Sequence, residues 1–294
     1  MLERRTDLAL EARELLGGKG ELPGIRSQEA EAEGFPLTTV EVTDEEGARA
    51  LGKPVGTYHT LDLTGLERRE EGAFPRAVKA LAGLLAPLLP RGETLVVGLG
   101  NRAITPDAIG PQAADRTLVT RHLVSMSPEH FGSFRPVAAL AAGVLGTTGV
   151  ESGEIVRAVA DKIGVKAVIA VDALAARRVE RLCATVQVCD TGIAPGSGVG
   201  NHRFALNRES LGVPVIAVGV PTVVDGATLA ADLLEEAGGR ADPQALAGAP
   251  GATLMVTPRD IDQRVADLSK VIGYGVSLAL QPELGLEELE MLIE

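Results

Sequence analysis

Two aspartates in this chain stand where short apolar runs give way to glycine-rich or polar sequence. Asp107 lies in Gly98-Leu-Gly-Asn-Arg-Ala-Ile-Thr-Pro-Asp-Ala-Ile-Gly, and Asp172 closes Ala167-Val-Ile-Ala-Val-Asp. A carboxylate directly after five or six apolar residues is expensive to bury unless it is paired or hydrogen-bonded. Either aspartate could serve only as a cap for the helix that follows it. Two of them at neighbouring strand ends offer more. Like charges held close together raise one pKa, so one group stays protonated while the other activates water for attack on a peptide carbonyl.

Other candidates carry less. Asp190-Thr191-Gly192 resembles the motif of pepsin-like proteases, but those are all-β and need two such motifs, so a turn-forming Asp190, or one lining a cleft, fits better here. The glycine-rich run after it, Gly196-Ser197-Gly198-Val199-Gly200-Asn201, lacks both a Gly-Lys-Ser/Thr ending and a Gly-x-Gly-x-x-Gly spacing. Its glycines suit the close approach of a substrate backbone instead. No Gly-x-Ser-x-Gly elbow is present. His59, His122, His130 and His202 are scattered singly without metal-ligand spacing; His122 is a minor candidate base. Cys183 and Cys189 sit in Leu-Cys-Ala-Thr-Val-Gln-Val-Cys-Asp, which reads as core, and two thiols make neither a disulfide framework nor a four-ligand zinc site.

The elements that must position these residues follow from periodicity. Residues 94–100, 165–171 and 213–220 are short apolar runs suited to buried parallel strands. Helices are expected over roughly 107–119, 153–163, 174–183 and 226–237. Strands alternating with helices imply an α/β fold: a doubly wound, mostly parallel sheet with helices on both faces. Before it, Leu37–Val42 and Tyr58–Leu63 alternate as edge strands do, and Val78, Leu81, Leu84 and Leu85 show helical spacing. The division expected is residues 1–7, then an N-terminal part over 8–92 with edge strands and a helix, then an α/β core over 93–294, the last two continuous. Thr257 and Pro258 are expected to open a last helix, with a solvated acidic helix beyond Pro282.

The net charge of −12, with two Tyr, five Phe and no Trp, disfavours nucleic-acid binding: phosphates are repelled and bases find few rings. The N-terminal residues lack the apolar stretch of a signal peptide, and no uninterrupted run has membrane-spanning length. A cytoplasmic protein is expected.

Together these segments resemble the germination protease family of spore-forming bacteria. The resemblance runs from Arg5-Thr-Asp-Leu-Ala-Leu-Glu-Ala-Arg to the final helix, and is most specific at Thr105-Pro-Asp-Ala-Ile-Gly-Pro, Ile169-Ala-Val-Asp-Ala-Leu-Ala-Ala-Arg, Asp190–Asn201 and Pro214–Asp225. It implies a fold similar to the hydrogenase maturation proteases, a homotetramer, and cleavage of small acid-soluble spore proteins during germination. It implies catalytic roles for Asp107 and Asp172, with no cofactor, although the two aspartates could alternatively hold a metal ion. It also implies a zymogen that removes its own N-terminal segment, here by a cut between Asp7 and Leu8. Asp190, Gly196, Ser197, Gly198 and Asn201 are expected to contact substrate. A non-catalytic nucleotide-binding α/β protein is the rival from another class.

Overall fold

In the computed structural model the residues described are 6–17, 22–194, 204–239, 242, 245–246 and 248–293. Their strands are β1 (Ile25–Ala32), β2 (Phe35–Val42), β3 (Gly56–Asp62), β4 (Thr94–Leu99), β5 (Val137–Gly143), β6 (Ala167–Ala176), β7 (Thr185–Cys189), β8 (Val215–Asp225) and β9 (Met255–Val256). They form one sheet in the order β1-β2-β3-β7-β8-β6-β4-β5, with β9 added to β8. The block β8-β6-β4-β5 is parallel, while β7, β3, β2 and β1 continue it in antiparallel pairing.

The parallel block arises where the sequence offers near-continuous apolar runs, and every residue of β4 is buried. Strands covered on both faces need such runs. One face carries the helices Ala73–Leu85, Ile109–Asp115 and Ile261–Leu280 over a core that includes Val96, Ile169, Val171, Val186, Val188, Ile216 and Val218. The opposite face receives the helix Ser152–Ile163 beside Leu95, Val97, Val168 and Ala170, and the N-terminal helix Ala9–Leu15 beside β2, β3 and β7. The expected α/β fold with helices on both faces is the one adopted. The N-terminal strands extend the same sheet, since β3 pairs with β7 from Tyr58↔Cys189 to Asp62↔Thr185.

β2 and β3, expected as edge strands, lie inside the sheet, because β1 covers β2 and β7 pairs with β3. Two further expectations differ. Residues 174–183 are not a helix. β6 runs on to Ala176 because Leu174, Ala175 and Ala176 pair with Pro221, Val223 and Val224 of β8, and only a single turn of 3-10 helix follows at Val179–Arg181. Alanine's helix preference is worth a few tenths of a kcal/mol per residue, which sheet pairing overrides. The helix expected from Thr257 begins at Ile261 instead, because the Thr257 hydroxyl donates to the carbonyl of Thr222 at 2.8 Å rather than capping. Beyond Pro282 the helix Leu286–Ile293 is anchored by the fully buried Leu289. β1 and β5 have no counterpart in the sequence reading. Among the described residues no helix is long and apolar enough to cross a membrane.

Candidate active site

Asp107 is held by a short loop that leaves β4. The loop turns at Gly100, whose φ of +107° is a left-handed conformation that L side chains rarely adopt. A Cβ there would lie 2.1 Å from the carbonyl oxygen of Asp107, so only glycine lets the loop close on itself. The Asn101 N–H donates to Asp107 Oδ2 at 2.7 Å, and the Asn101 side chain accepts from Ala103 N. The single turn Thr105–Asp107 then leads into the helix Ile109–Asp115. That helix lies so close to the sheet that a Cβ on Gly98 would stand 2.2 Å from the carbonyl oxygen of Gly110.

Asp172 stands within β6 rather than at its end. β4 pairs with β6 only as far as Gly98↔Val171, so Asp172 is the first β6 residue past that pairing. It is 6% exposed, and the Ala173 N–H donates to its Oδ1 at 2.9 Å. Across β8 it pairs with Gly219, and Gly219 in turn pairs with Gln187 of β7. Residues directly opposite in a sheet project to the same face, so Asp172 and Gln187 flank a glycine that presents no side chain. Their Cα atoms are two strand spacings apart, roughly 10 Å.

A cleft of about 850 Å³ opens over this row. Asp107 and Asp172 both line it, together with Lys53, Tyr58, Gln187, Asn207, the segment Thr191–Ala194 and, from the N-terminus, Thr6 and Asp7. The chain thus lays its own N-terminal segment in the cleft. The Asp7 N–H donates to Ala175 O at 2.9 Å, and Ala175 N–H donates back to Asp7 Oδ2 at 2.8 Å. Leu8 is fully buried against Leu174, Ala176, Leu182 and Val224. Gln187 bonds both sides of the Asp7–Leu8 linkage: Nε2 donates to Asp7 O at 3.3 Å, and Oε1 accepts from Ala9 N at 2.8 Å.

Charge reinforces this seating. Lys53 Nζ reaches the Thr6 carbonyl at 3.4 Å. Burial pulls its pKa down, while the carboxylate of Asp7 opposes that and favours the ammonium. Farther along, the fully buried Glu11 accepts from the N–H groups of Arg177 and Arg178 and from the Thr6 hydroxyl, and pairs with Arg181. Burial raises the Glu11 pKa, opposed by those hydrogen bonds and by Arg181. Behind it, Arg177 and Asp232 form an ion pair at 3.0 Å with both side chains buried.

The other expected site residues lie as follows. Asp190 is exposed, and its Oδ1 accepts from Thr57 N at 2.8 Å, bracing the start of β3 while its neighbours Thr191–Ala194 face the cleft. Gly196, Ser197, Gly198 and Asn201 lie outside the described residues. His122 is exposed on the helix Arg121–Met126, away from the cleft lining. Both cysteines are buried, and burial pushes the Cys183 thiol up to about 12, which disfavours a thiolate. Among the described residues no group of three or more His, Cys, Asp or Glu is arranged to hold a metal ion. Lys53 and Gln187 were not foreseen; an isolated glutamine inside Thr185-Val-Gln-Val-Cys was the signal available, because a polar side chain in a buried strand needs a reason.

Over residues 5–237 the sequence matches the family described as germination protease. The chain belongs to the germination protease family. Germination proteases of Caldanaerobacter subterraneus subsp. tengcongensis and of Clostridium perfringens are 43% and 42% identical to it, in each case over 98% of this chain and 98% of the relative. That of Priestia megaterium is 43% identical over 79% of this chain and 66% of the relative. Among solved structures, a [NiFe] hydrogenase maturation protease, HycI from Thermococcus kodakarensis, overlaps 67% of this chain and 99% of its own, at a TM-score of 0.38 and 16% identity. Membership of this family makes the chain a protease of spore germination, and a protease implies a protein substrate.

Proposed function

We propose that this germination protease is an endopeptidase that uses Asp107 and Asp172 as a water-activating pair and is made as a precursor that cuts itself between Asp7 and Leu8. One observation carries the proposal: both carboxylates and the Thr6–Asp7 segment line a single cleft. One aspartate takes a proton from water as the water attacks the carbonyl carbon of Asp7. The other, protonated, gives its proton to the Leu8 nitrogen as the C–N bond breaks. The products are a carboxylate at Asp7 and an amine at Leu8.

Residues 1–7 then form the pro-segment, residues 8–92 the N-terminal part and residues 93–294 the catalytic core. The substrates are the small acid-soluble spore proteins, cut after an acidic residue and before an apolar one, within the cytoplasm of the forespore and spore. Asp190, Gly196, Ser197, Gly198 and Asn201 contact the substrate, the glycines allowing close approach of its backbone, and the working assembly is a homotetramer. No metal or other cofactor takes part.

The test is the intact mass of the purified chain followed over time in mildly acidic buffer, beside Asp172→Asn and Asp107→Asn. Loss of Met1–Asp7 from the wild type alone is the expected result. Equal loss from all three would assign the cut to another protease and remove the aspartates from the mechanism.

A further inference from the structure

Gln187 is a polar side chain in a strand whose five residues are all buried. Its hydrogen bonds fix which way the amide faces. A backbone carbonyl only accepts and a backbone N–H only donates, so Nε2 must face Asp7 O and Oε1 must face Ala9 N. The residues between these contacts are Asp7, Leu8 and Ala9. The amide therefore does for this segment what one residue of a neighbouring parallel strand would do: it donates to the C=O of one residue and accepts from the N–H two residues on. Those groups exist in every peptide without proline at the second place, so the clamp is independent of side-chain identity.

The side chains on either side are read separately. Asp7 meets the backbone N–H of Ala175 and the field of Lys53, and Leu8 fills the apolar slot of Leu174, Ala176, Leu182 and Val224. Asp172 stands across Gly219 on the same face, one glycine away from Gln187.

We propose that Gln187 is a catalytic residue of this protease: its Nε2–H polarises the carbonyl of the bond to be cut and stabilises the oxygen as it becomes an oxyanion, while its Oε1 holds the peptide two residues on. The inference rests on the reading of Asp7–Leu8 as a bond that this site cuts. When water adds to the carbonyl carbon, the C=O π electrons move to oxygen, where the amide N–H donates most strongly. When the C–N bond breaks they return, and the N–H reverts to a ground-state hydrogen bond. A donor aimed at developing negative charge in a buried site contributes a factor of about 10² to 10³ in rate.

The test uses the full-length chain and its own first-order loss of Met1–Asp7, read by intact mass, with a thermal melt of each variant. In Gln187→Glu the side chain keeps its length and its acceptor, but loses the donor when ionised. Cleavage near neutral pH is expected to fall by about 10² to 10³. It should recover as pH falls, because a protonated carboxyl can donate again; Gln187→Ala should show no such recovery, which a merely structural role would not predict. Ala9→Pro supplies an independent arm. Ala9 is the first residue of its helix and follows an extended Leu8 at φ −82°, ψ 125°, so proline suits the backbone there. It removes the N–H that Oε1 accepts and adds ring carbons beside that oxygen at a fully buried position, so its melt is read beside its rate; cleavage should slow at least about tenfold for the loss of one buried bond.

Gln187→Ala cleaving within threefold of the wild type while folded would overturn the role of Gln187, with Asp172→Asn inactivity leaving the aspartate mechanism standing. If Gln187→Ala does not fold, Gln187→Glu at wild-type rate across the pH range overturns it equally. A wild type never cut after Asp7 overturns the Asp7–Leu8 reading and this inference together.

Discussion

Replacing Gly100 by alanine tests the positioning of Asp107 without touching a carboxylate. The added Cβ would sit 2.1 Å from Asp107 O and 2.9 Å from Asp107 Oδ1. Restoring an ordinary contact of 3.4 Å to that carbonyl requires a displacement of about 1.3 Å, the difference between the two distances. The neighbours cannot absorb it, because the Asp107 loop is tied by Asn101 on one side and leads straight into the closely packed helix Ile109–Asp115 on the other. A misplacement near 1 Å costs about 10² in rate, so self-cleavage should fall roughly 100-fold.

The cost to the fold is smaller. Alanine in a left-handed conformation loses about 1–2 kcal/mol, and relieving the contact about 1–3 more. Against a total of about 5–15 kcal/mol this leaves a folded protein, with a melting temperature lower by roughly 5–15 °C. The assay pairs intact-mass kinetics with a thermal melt below that transition. A Gly100→Ala chain that melts lower but cleaves within threefold of wild type would refute the positioning of Asp107 by this loop.

Three further outcomes are expected. Self-cleavage should survive a strong chelator unchanged; its loss, restored by added divalent metal, would favour aspartates that ligate an ion. Because burial raises the Glu11 pKa above its ordinary 4.5, the folded state holds that proton more tightly than the unfolded chain. Its contribution is fully present below 4.5 and is lost as pH rises through the raised folded value, so the melting-temperature advantage of wild type over Glu11→Gln should shrink across that interval. Asp232→Ala leaves the Arg177 guanidinium buried without its partner, and should cost about 3–5 kcal/mol in urea denaturation; a cost below about 1 kcal/mol would show that water reaches the pair.

Much of this fold was legible because burial writes a simple code. The apolar runs that became β4, β6 and β8 have no polar alternation, as strands covered on both faces must not, and Asp107 and Asp172 stood out against them. β5 was hidden because Val137-Ala-Ala-Leu-Ala-Ala-Gly suits a helix by local preference. The end of β6 also suits a helix locally, and its strand conformation is imposed by β8, a partner about 50 residues away in sequence. The difference bears on function as well as structure: Ala175, expected on a helix, supplies the backbone groups that hold Asp7. Gln187 reads as a core residue because its reason for being polar, the segment Asp7–Ala9, lies about 180 residues away in sequence.

The seating of Thr6–Ala9 in the cleft also bears on how the protein would meet any inhibitor. A ligand for this groove does not compete with bulk water alone but with an occupant that is covalently attached. Tethering of this kind corresponds to an effective concentration on the order of millimolar for short links. A peptide mimic added at micromolar concentration to the uncut chain would therefore register as a weak binder even if its intrinsic affinity were high. Once the stretch before Leu8 has been released, a compound that fills the places of Thr6 and Asp7 should gain apparent potency, while Leu8 and Ala9 stay tethered in theirs, so ligands for that side of the groove belong on the processed form.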